Sequence, residues 1–348
     1  MLRINPHQTA LWRDLNSLQI GSGQKRVILD SLSPAQERLI AALYRGIADK
    51  QLPQLLNDLG VEAEDGNHLV DSLQPLFLQN TKPMKSALSE EFVAGAFAEI
   101  IRASLLNSAD GATVLMERKF RTVHIDDLSA PGLALTLGLA SAGVGRVVTH
   151  DQSLVQDKDL GPSGYPTQLL GRTKVEAVRA LLASSPNQMG VVQGHKLTPR
   201  NLEAIDCAAI IAHEAIEPRR YVQWLNRDVP HLALSFEVDH ASVSPLIVPG
   251  RGPCLFCLEQ ARVNLDPSWP VIASQLITTK ERLDDSASRL FCAGVAIQKI
   301  LGHLDFVGAF GQTEKELVGY RLNLASGTIA EFRWAEHEAC TCKLTSRE

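Results

Sequence analysis

The period of apolar positions changes along this chain, and each change marks a different kind of structure. Near the start, "ALWRDLNSLQIG" (10–21) and "KRVILDSL" (25–32) flank Gly21-Ser22-Gly23, which predicts two strands around a turn. Ser33-Pro34-Ala35-Gln36 then places serine at an N-cap and proline at the first helical position. Leu39, Ile40, Leu43 and Ile47 continue with helical spacing. Two further short helices are predicted around 52–59 and 66–77. Strands followed by three helices make residues 1–80 a winged-helix-like α+β domain. Residues 81–112 read as a polar linker and then a helix led by Ser89-Glu90-Glu91, with Phe92, Phe97, Ile100, Ile101 and Leu105 on its apolar side.

From residue 113 the pattern alternates between strand and helix. "RTVHIDDLS", "VGRVVTHD", "MGVVQG", "CAAIIAHE" and "PHLALSFEVD" read as strands. "PGLALTLGLASAG", "LGRTKVEAVRALLASS" and "EPRRYVQWLNRD" read as helices between them. Such an order implies right-handed crossovers. The expected fold of 113–348 is therefore α/β, a doubly wound and mainly parallel Rossmann-like sheet, with ligands at the carboxyl ends of its strands.

Composition narrows the function classes. Apolar residues make up 45% of the 348 positions, charged ones 21%, and the net charge is −5. An acidic balance and a first domain whose Arg38, Arg45 and Lys50 are scattered argue against nucleic acid as a partner. A peptide added to a strand edge suits that domain better, and a purely structural lid is the equal alternative. No apolar run reaches bilayer-spanning length, and "MLRINPHQTALWRD" lacks the apolar core of a signal peptide, so a cytoplasmic protein without membrane contact is expected.

Four of six cysteines fall in two tight pairs, Cys254/Cys257 and Cys340/Cys342. Two such pairs can close a tetrahedral sulfur shell around a structural Zn2+; four free thiols, or disulfides in an oxidising compartment, are the alternatives. Cys207 and Cys292, in apolar settings, read as small buried residues.

The loop after the first strand of the α/β region carries Asp126-Asp127-Leu128-Ser129-Ala130-Pro131-Gly132. A dinucleotide loop would read G-x-G-x-x-G, and only its last glycine, Gly132, is present. Two carboxylates occupy the stretch where phosphates would lie, and Pro131 removes an amide donor. An ordinary turn in which Asp127 or Ser129 caps the next helix fits these residues better than nucleotide binding does. Asp151, about twenty residues past Gly132, ends the second strand where a ribose-binding acid is expected.

Together "LASAGVGRVVTHD", "GRTKVEAVRALL" and "VPGRGPCLFC" with a later cysteine pair resemble the ThiF/MoeB/HesA family of adenylating enzymes, over about residues 113–342. "CLFCLEQARVNLDPSWP" resembles a bacterial subgroup linked to modification of ribosomally made peptides, in which a winged-helix-like peptide-binding unit comes first. The resemblance implies ATP and magnesium, a precursor peptide or small carrier protein as partner, and a homodimer. It places the ribose acid on Asp151, a phosphate-facing lysine on Lys174 with Arg172 beside it, and the zinc ligands on the four paired cysteines; where the family has its metal-holding aspartate this chain ends its strand Ala212-His213-Glu214, with the longer Glu214 as the candidate catalytic acid in its place. The chain departs from the family where Asp159-Leu160-Gly161-Pro162 replaces the motif that carries the phosphate arginine, and where Ser153 replaces the second acid after the second strand. Two functions are then expected. One is a degenerate, adenylyltransferase-like protein with doubtful ATP binding that presents a peptide to a separate modifying enzyme. The alternative is an active ATP-dependent adenylyltransferase.

Overall fold

The structure is a computed structural model and describes residues 1–79, 88–194, 204–279, 282–305, 317–340 and 342. The polar linker expected after residue 80 lies mostly outside them. The chain divides into two compact units, Met1–Glu117 and Arg118–Glu348.

The first unit opens with an antiparallel sheet, β1 (Ala10–Trp12), β2 (Leu18–Ile20) and β3 (Val27–Leu29), in chain order. The run 10–21, expected as one strand, is thus two. Asp14 accepts the Asn16 amide at 2.8 Å and the Arg13 amide reaches the Ser17 carbonyl at 2.9 Å, which reverses the chain between them. Helices α1 (Pro34–Arg45), α2 (Leu52–Leu59) and α3 (Ala63–Leu73) follow. Ser33 and Gln36 form a reciprocal capping box at the start of α1. Ile4, Leu18, Ile20, Leu39, Leu43 and Leu73 form the core. The helix expected from Ser89 breaks at Ala96 into α4 (Glu90–Gly95) and α5 (Phe97–Asn107), ahead of α6 (Gly111–Arg118). That break leaves Phe97 60% exposed, whereas Phe92 and Ile100 are buried as their spacing predicts.

The second unit contains β4 (Thr122–Ile125), β5 (Arg146–Thr149), β6 (Gly190–Gln193), β7 (Cys207–His213), β8 (His231–Phe236), β9 (His240–Val243), β10 (Gly319–Asn323) and β11 (Ile329–Phe332). They make one sheet in the order β11-β10-β9-β8-β7-β4-β5-β6. Strands β4 to β8 pair in parallel, and β9 to β11 add an antiparallel edge. A small antiparallel sheet followed by a mixed, mainly parallel eight-stranded sheet is the α/β class read from the sequence. β4 and β7 are buried almost throughout, as parallel strands covered on both faces must be.

The helices are α7 (Ala130–Ser141), α8 (Lys174–Leu182), α9 (Pro218–Leu225), α10 (Leu255–Leu265), α11 (Trp269–Leu276) and α12 (Ser286–Asp305). Small residues in α7 let α12 approach: a Cβ on Gly138 would lie 2.2 Å from the Ile297 side chain. Leu133, Leu139, Ala296 and Ile300 fill that layer, while Tyr221 and Trp224 of α9 fill another core with Cys254, Cys257 and Cys340. The chain moves from β4 out to β6 and returns to β7 on the other side of β4. That reversal between β4 and β7 opens a crevice at their carboxyl ends, the position where ligands bind in such sheets. No described helix is long and apolar enough to cross a membrane.

Candidate functional site

The carboxyl ends of β4 and β5, the loop into α7 and the start of α8 line a cleft of about 560 Å³. Asp126, at the end of β4, lines it with a carboxylate that is already taken. Its carboxylate accepts the Ile211 amide at 3.0 Å and Arg220 Nε and Nη2 at 2.9 and 2.6 Å. Burial lifts its pKa to about 6 even against the pull of Arg220. Asp127 turns the other way and accepts the Ser129 amide. Burial opposes its ionisation, but Lys174, Arg282 and the Ser129 bond together hold its pKa below the usual carboxylate value. Of the two capping candidates Asp127 thus makes the bond, and Ser129, at the N-cap of α7, makes no side-chain cap bond. Gly132 is in the first turn of α7, where a Cβ would lie 1.8 Å from the Asp127 carbonyl oxygen. Its lack of a side chain closes this turn.

Asp151 follows β5 and also faces inward. Its two oxygens accept the Leu128 amide at 2.9 Å and the Ser153 amide at 2.8 Å, so it fixes the loop before α7. Lys174 is the first residue of α8, behind a capping box of Thr173 and Glu176. Its ammonium lies 3.5 Å from Asp151 and 3.8 Å from Asp159, and only 6% of its side chain is exposed. These three residues form a nearly buried triad. Arg172 is exposed and is not among the side chains lining the cleft. Glu214 adopts a left-handed φ of 62° just after β7, and its amide bonds to the Phe236 carbonyl at 2.9 Å. Its carboxyl is raised by burial and by the charge of Glu237, and it too is absent from the lining.

Residues not singled out from the sequence complete the cleft: Lys158, Arg220, Arg282 and the pair His124–His150. Arg220 and Asp126 are 94 residues apart, and no local pattern announces such a pairing. His124 Nε2 lies 2.9 Å from His150 Nδ1, and its ring packs on Trp224 with centroids 4.5 Å apart. Burial draws the His124 pKa down to about 3, with the charges of His150 and Arg227 adding to the effect.

A pH dependence follows from His124. Its folded pKa lies below the unfolded value near 6.5, so it is neutral in the fold. Between pH 3 and 6.5 only the unfolded chain binds the proton, and stability is lost as pH falls, by up to about 1.4 kcal/mol per pH unit. Asp126, with a raised pKa, has the opposite sign between about pH 4 and 6. His124→Phe is therefore expected to flatten the fall of the urea midpoint between pH 6.5 and 4. An unchanged slope would show that His124 is not held neutral.

Away from the cleft, the four paired cysteines meet. The sulfur of Cys254 lies 3.9 Å from that of Cys257 and 3.5 Å from that of Cys340, and Cys257 lies 3.6 Å from Cys342. All four ligand atoms are within 4.8 Å of one another. A tetrahedron with Zn–S bonds of about 2.3 Å has sulfur–sulfur edges of about 3.8 Å, so the donors and their spacing fit a closed thiolate site. Trp334 Nε1 bonds to the Cys254 carbonyl at 2.9 Å and Cys340 N to the His337 carbonyl at 2.9 Å, which orient the two cysteine segments. Cys207 and Cys292 are fully buried, and burial pushes each thiol up to about 12.

No protein-family model matches the sequence, and no curated protein matches it. Solved structures do. Escherichia coli MccB with AMPCPP and MccA superposes with a TM-score of 0.69 at 13% identity, over 97% of this chain and 98% of that one. The microcin C7 biosynthetic enzyme MccB in complex with N-formylated MccA gives 0.66 at 14% identity, over 98% and 99%. PaaA gives 0.66 at 16% identity, over 95% and 99%. At these identities the likeness is one of fold, and it spans nearly the whole chain.

Proposed function

We propose that this protein binds a precursor peptide or small carrier protein on an adenylating-enzyme fold, and that its strand-end cleft no longer works as a triphosphate site. The peptide would pass to a separate modifying enzyme. The charge balance of the cleft carries this reading. Lys158, Lys174, Arg220 and Arg282 line it against Asp126, Asp127 and Asp151, and Asp159 stands behind Lys174. Arg220 is committed to Asp126, and Lys174 to two aspartates. A triphosphate needs uncompensated cations or amide donors where its charge lies. The MccB structures with MccA support the partner half of the proposal. β3 adds to it an edge strand beside β2; an extended chain can pair with such an edge. We also infer that the four-cysteine cluster holds a structural zinc, because an all-thiolate shell leaves no open position for catalysis.

Calorimetry on the full chain with ATP and magnesium tests the proposal. Binding no tighter than hundreds of micromolar is expected, about 5 kcal/mol or less of affinity. Low-micromolar binding with pyrophosphate exchange on a carboxylate would overturn it. That result would establish the active adenylyltransferase instead, with Asp151, Lys174 and Glu214 as its first residues to substitute.

A further inference from the structure

Between the antiparallel edge of the large sheet and α10 lies a second cavity, of about 210 Å³, which shares no lining residue with the strand-end cleft. We propose that it binds a small aliphatic monocarboxylate, with the carboxylate on Ser235, Ser242 and Arg321 and the tail among Ile216, Leu258 and Leu265. This site stands apart from the peptide reading and from the nucleotide question, and neither has to hold for it to fill.

Strand register sets its floor. Ser235 of β8 stands opposite Ser242 of β9, and Ser242 stands opposite Arg321 of β10. Side chains directly opposite in an antiparallel pair share a face, so these three form one row across the sheet, neighbours about 5 Å apart. The residues that alternate with them, Leu234, Phe236, Ala241 and Val243, turn the other way into the main core. The row itself lies under α10, whose Leu255, Leu258 and Leu265 make an apolar wall with Ile216. A sheet face beneath an apolar helix is expected to be apolar in turn. Ser235 and Ser242 depart from that, and their hydroxyls bond to no described residue, although Ser242 is only 7% exposed. Ser244, which also lines the cavity, shows the contrast. Its hydroxyl accepts the Ala233 amide at 2.9 Å and donates to the Pro245 carbonyl at 2.7 Å. Hydroxyls in apolar surroundings gain from a partner, and two open donors side by side suit the two oxygens of one carboxylate.

The charges at the rim narrow the ligand further. Arg262 is already answered, by Glu237 at 3.2 Å and Glu259 at 3.3 Å, and it lies over the Trp269 ring. Arg321 closes no ion pair with a described residue, and its guanidinium rests 5.1 Å from the ring centroid of Phe332, another lining residue. The acid that feels Arg321 is Asp239, which is exposed; its pKa is lowered first by its bond to His240 and last by Arg321. One open positive charge and two neutral donors match a single negative charge. A phosphate dianion would bring a second charge toward Glu237 and Glu259. Volume sets the length of the tail. At ~30 Å³ for each water-sized group the cavity holds about seven, which is the five carbons and two oxygens of a branched five-carbon acid.

Methyl NMR on the full chain, labelled at isoleucine Cδ1, tests this with three probes: 3-methylbutanoate, 3-methylbutanamide and acetate. The first is expected to shift the Ile216 methyl and saturate in the millimolar range, while the methyl of Ile211, whose amide is held by Asp126 of the cleft, stays in place. The amide lacks the charge and acetate lacks the tail, so each should bind at least about tenfold more weakly. Arg321→Gln, a change at an exposed position, should bring the acid and the amide to equal affinity. Ser235→Ala removes a hydroxyl that holds nothing else in the protein and should weaken the acid about fivefold or more. An amide as tight as the acid, or an Ile216 methyl unmoved at about 10 mM acid, overturns the proposal. So does an acid that shifts Ile211 in place of Ile216, or an acid preference that survives Arg321→Gln.

Discussion

Cys254→Ala is expected to release about one zinc per chain and to lower stability by more than about 3 kcal/mol, because the binding energy of a closed thiolate site is folding energy. Cys254 and Cys257 sit at the start of α10, and their partner sulfurs arrive from a segment more than eighty residues later. Three of the four belong to the core layer that contains Tyr221 and Trp224. Losing the ion would leave three thiols crowded within 4.8 Å and free the segment that Trp334 anchors on the Cys254 carbonyl. Elemental analysis and urea unfolding, with and without a chelator, measure both effects. Cys292→Ala is the control: it removes a buried thiol from another core, should cost only what a small cavity costs, and should keep the metal. Absence of zinc from the native protein, or metal content unchanged in Cys254→Ala, would sink the assignment.

Some of this architecture was legible in the sequence and some was not, and the difference is physical. The parallel strands were legible because a strand covered on both faces must be apolar along its length, as "CAAIIAH" is. The cysteine cluster was legible because thiols in two tight pairs have few other uses. The break at Ala96 was missed because Phe97 keeps the spacing of an apolar stripe even though it is exposed; periodicity records residue type, not the path of the backbone. The extra turn at Asp14–Ser17 was missed because the apolar run on either side masks it. At the cleft, the sequence drew attention to Asp126 and Asp127, but not to where they point. Asp126 finds Arg220 across 94 residues, and only the folded sheet brings them together.

Lys174→Met is expected to destabilise the fold by about 3–5 kcal/mol, far beyond the roughly 0.5 kcal/mol of a typical surface substitution. The ammonium sits between Asp151 and Asp159, whose side chains are 10% and 2% exposed. Removing it leaves two carboxylates facing each other with little solvent. The loss should spread, because Asp151 also holds the Leu128 amide, and the Leu128 carbonyl accepts the Tyr165 hydroxyl at 2.6 Å. Lys174→Met combined with Asp159→Asn should recover part of the loss: one of the two stranded charges is gone, and an amide oxygen can still accept the Gln156 N–H. Urea unfolding of the native protein and the three variants measures the coupling. A phosphate-binding lysine would behave differently: Lys174→Met would weaken ATP binding while the urea midpoint stayed within about 0.5 kcal/mol of the native value. That result would end the triad reading. The expected one instead makes Lys174 the residue that holds the β5 end and the loop into α7 in place, with its charge already answered from within the protein.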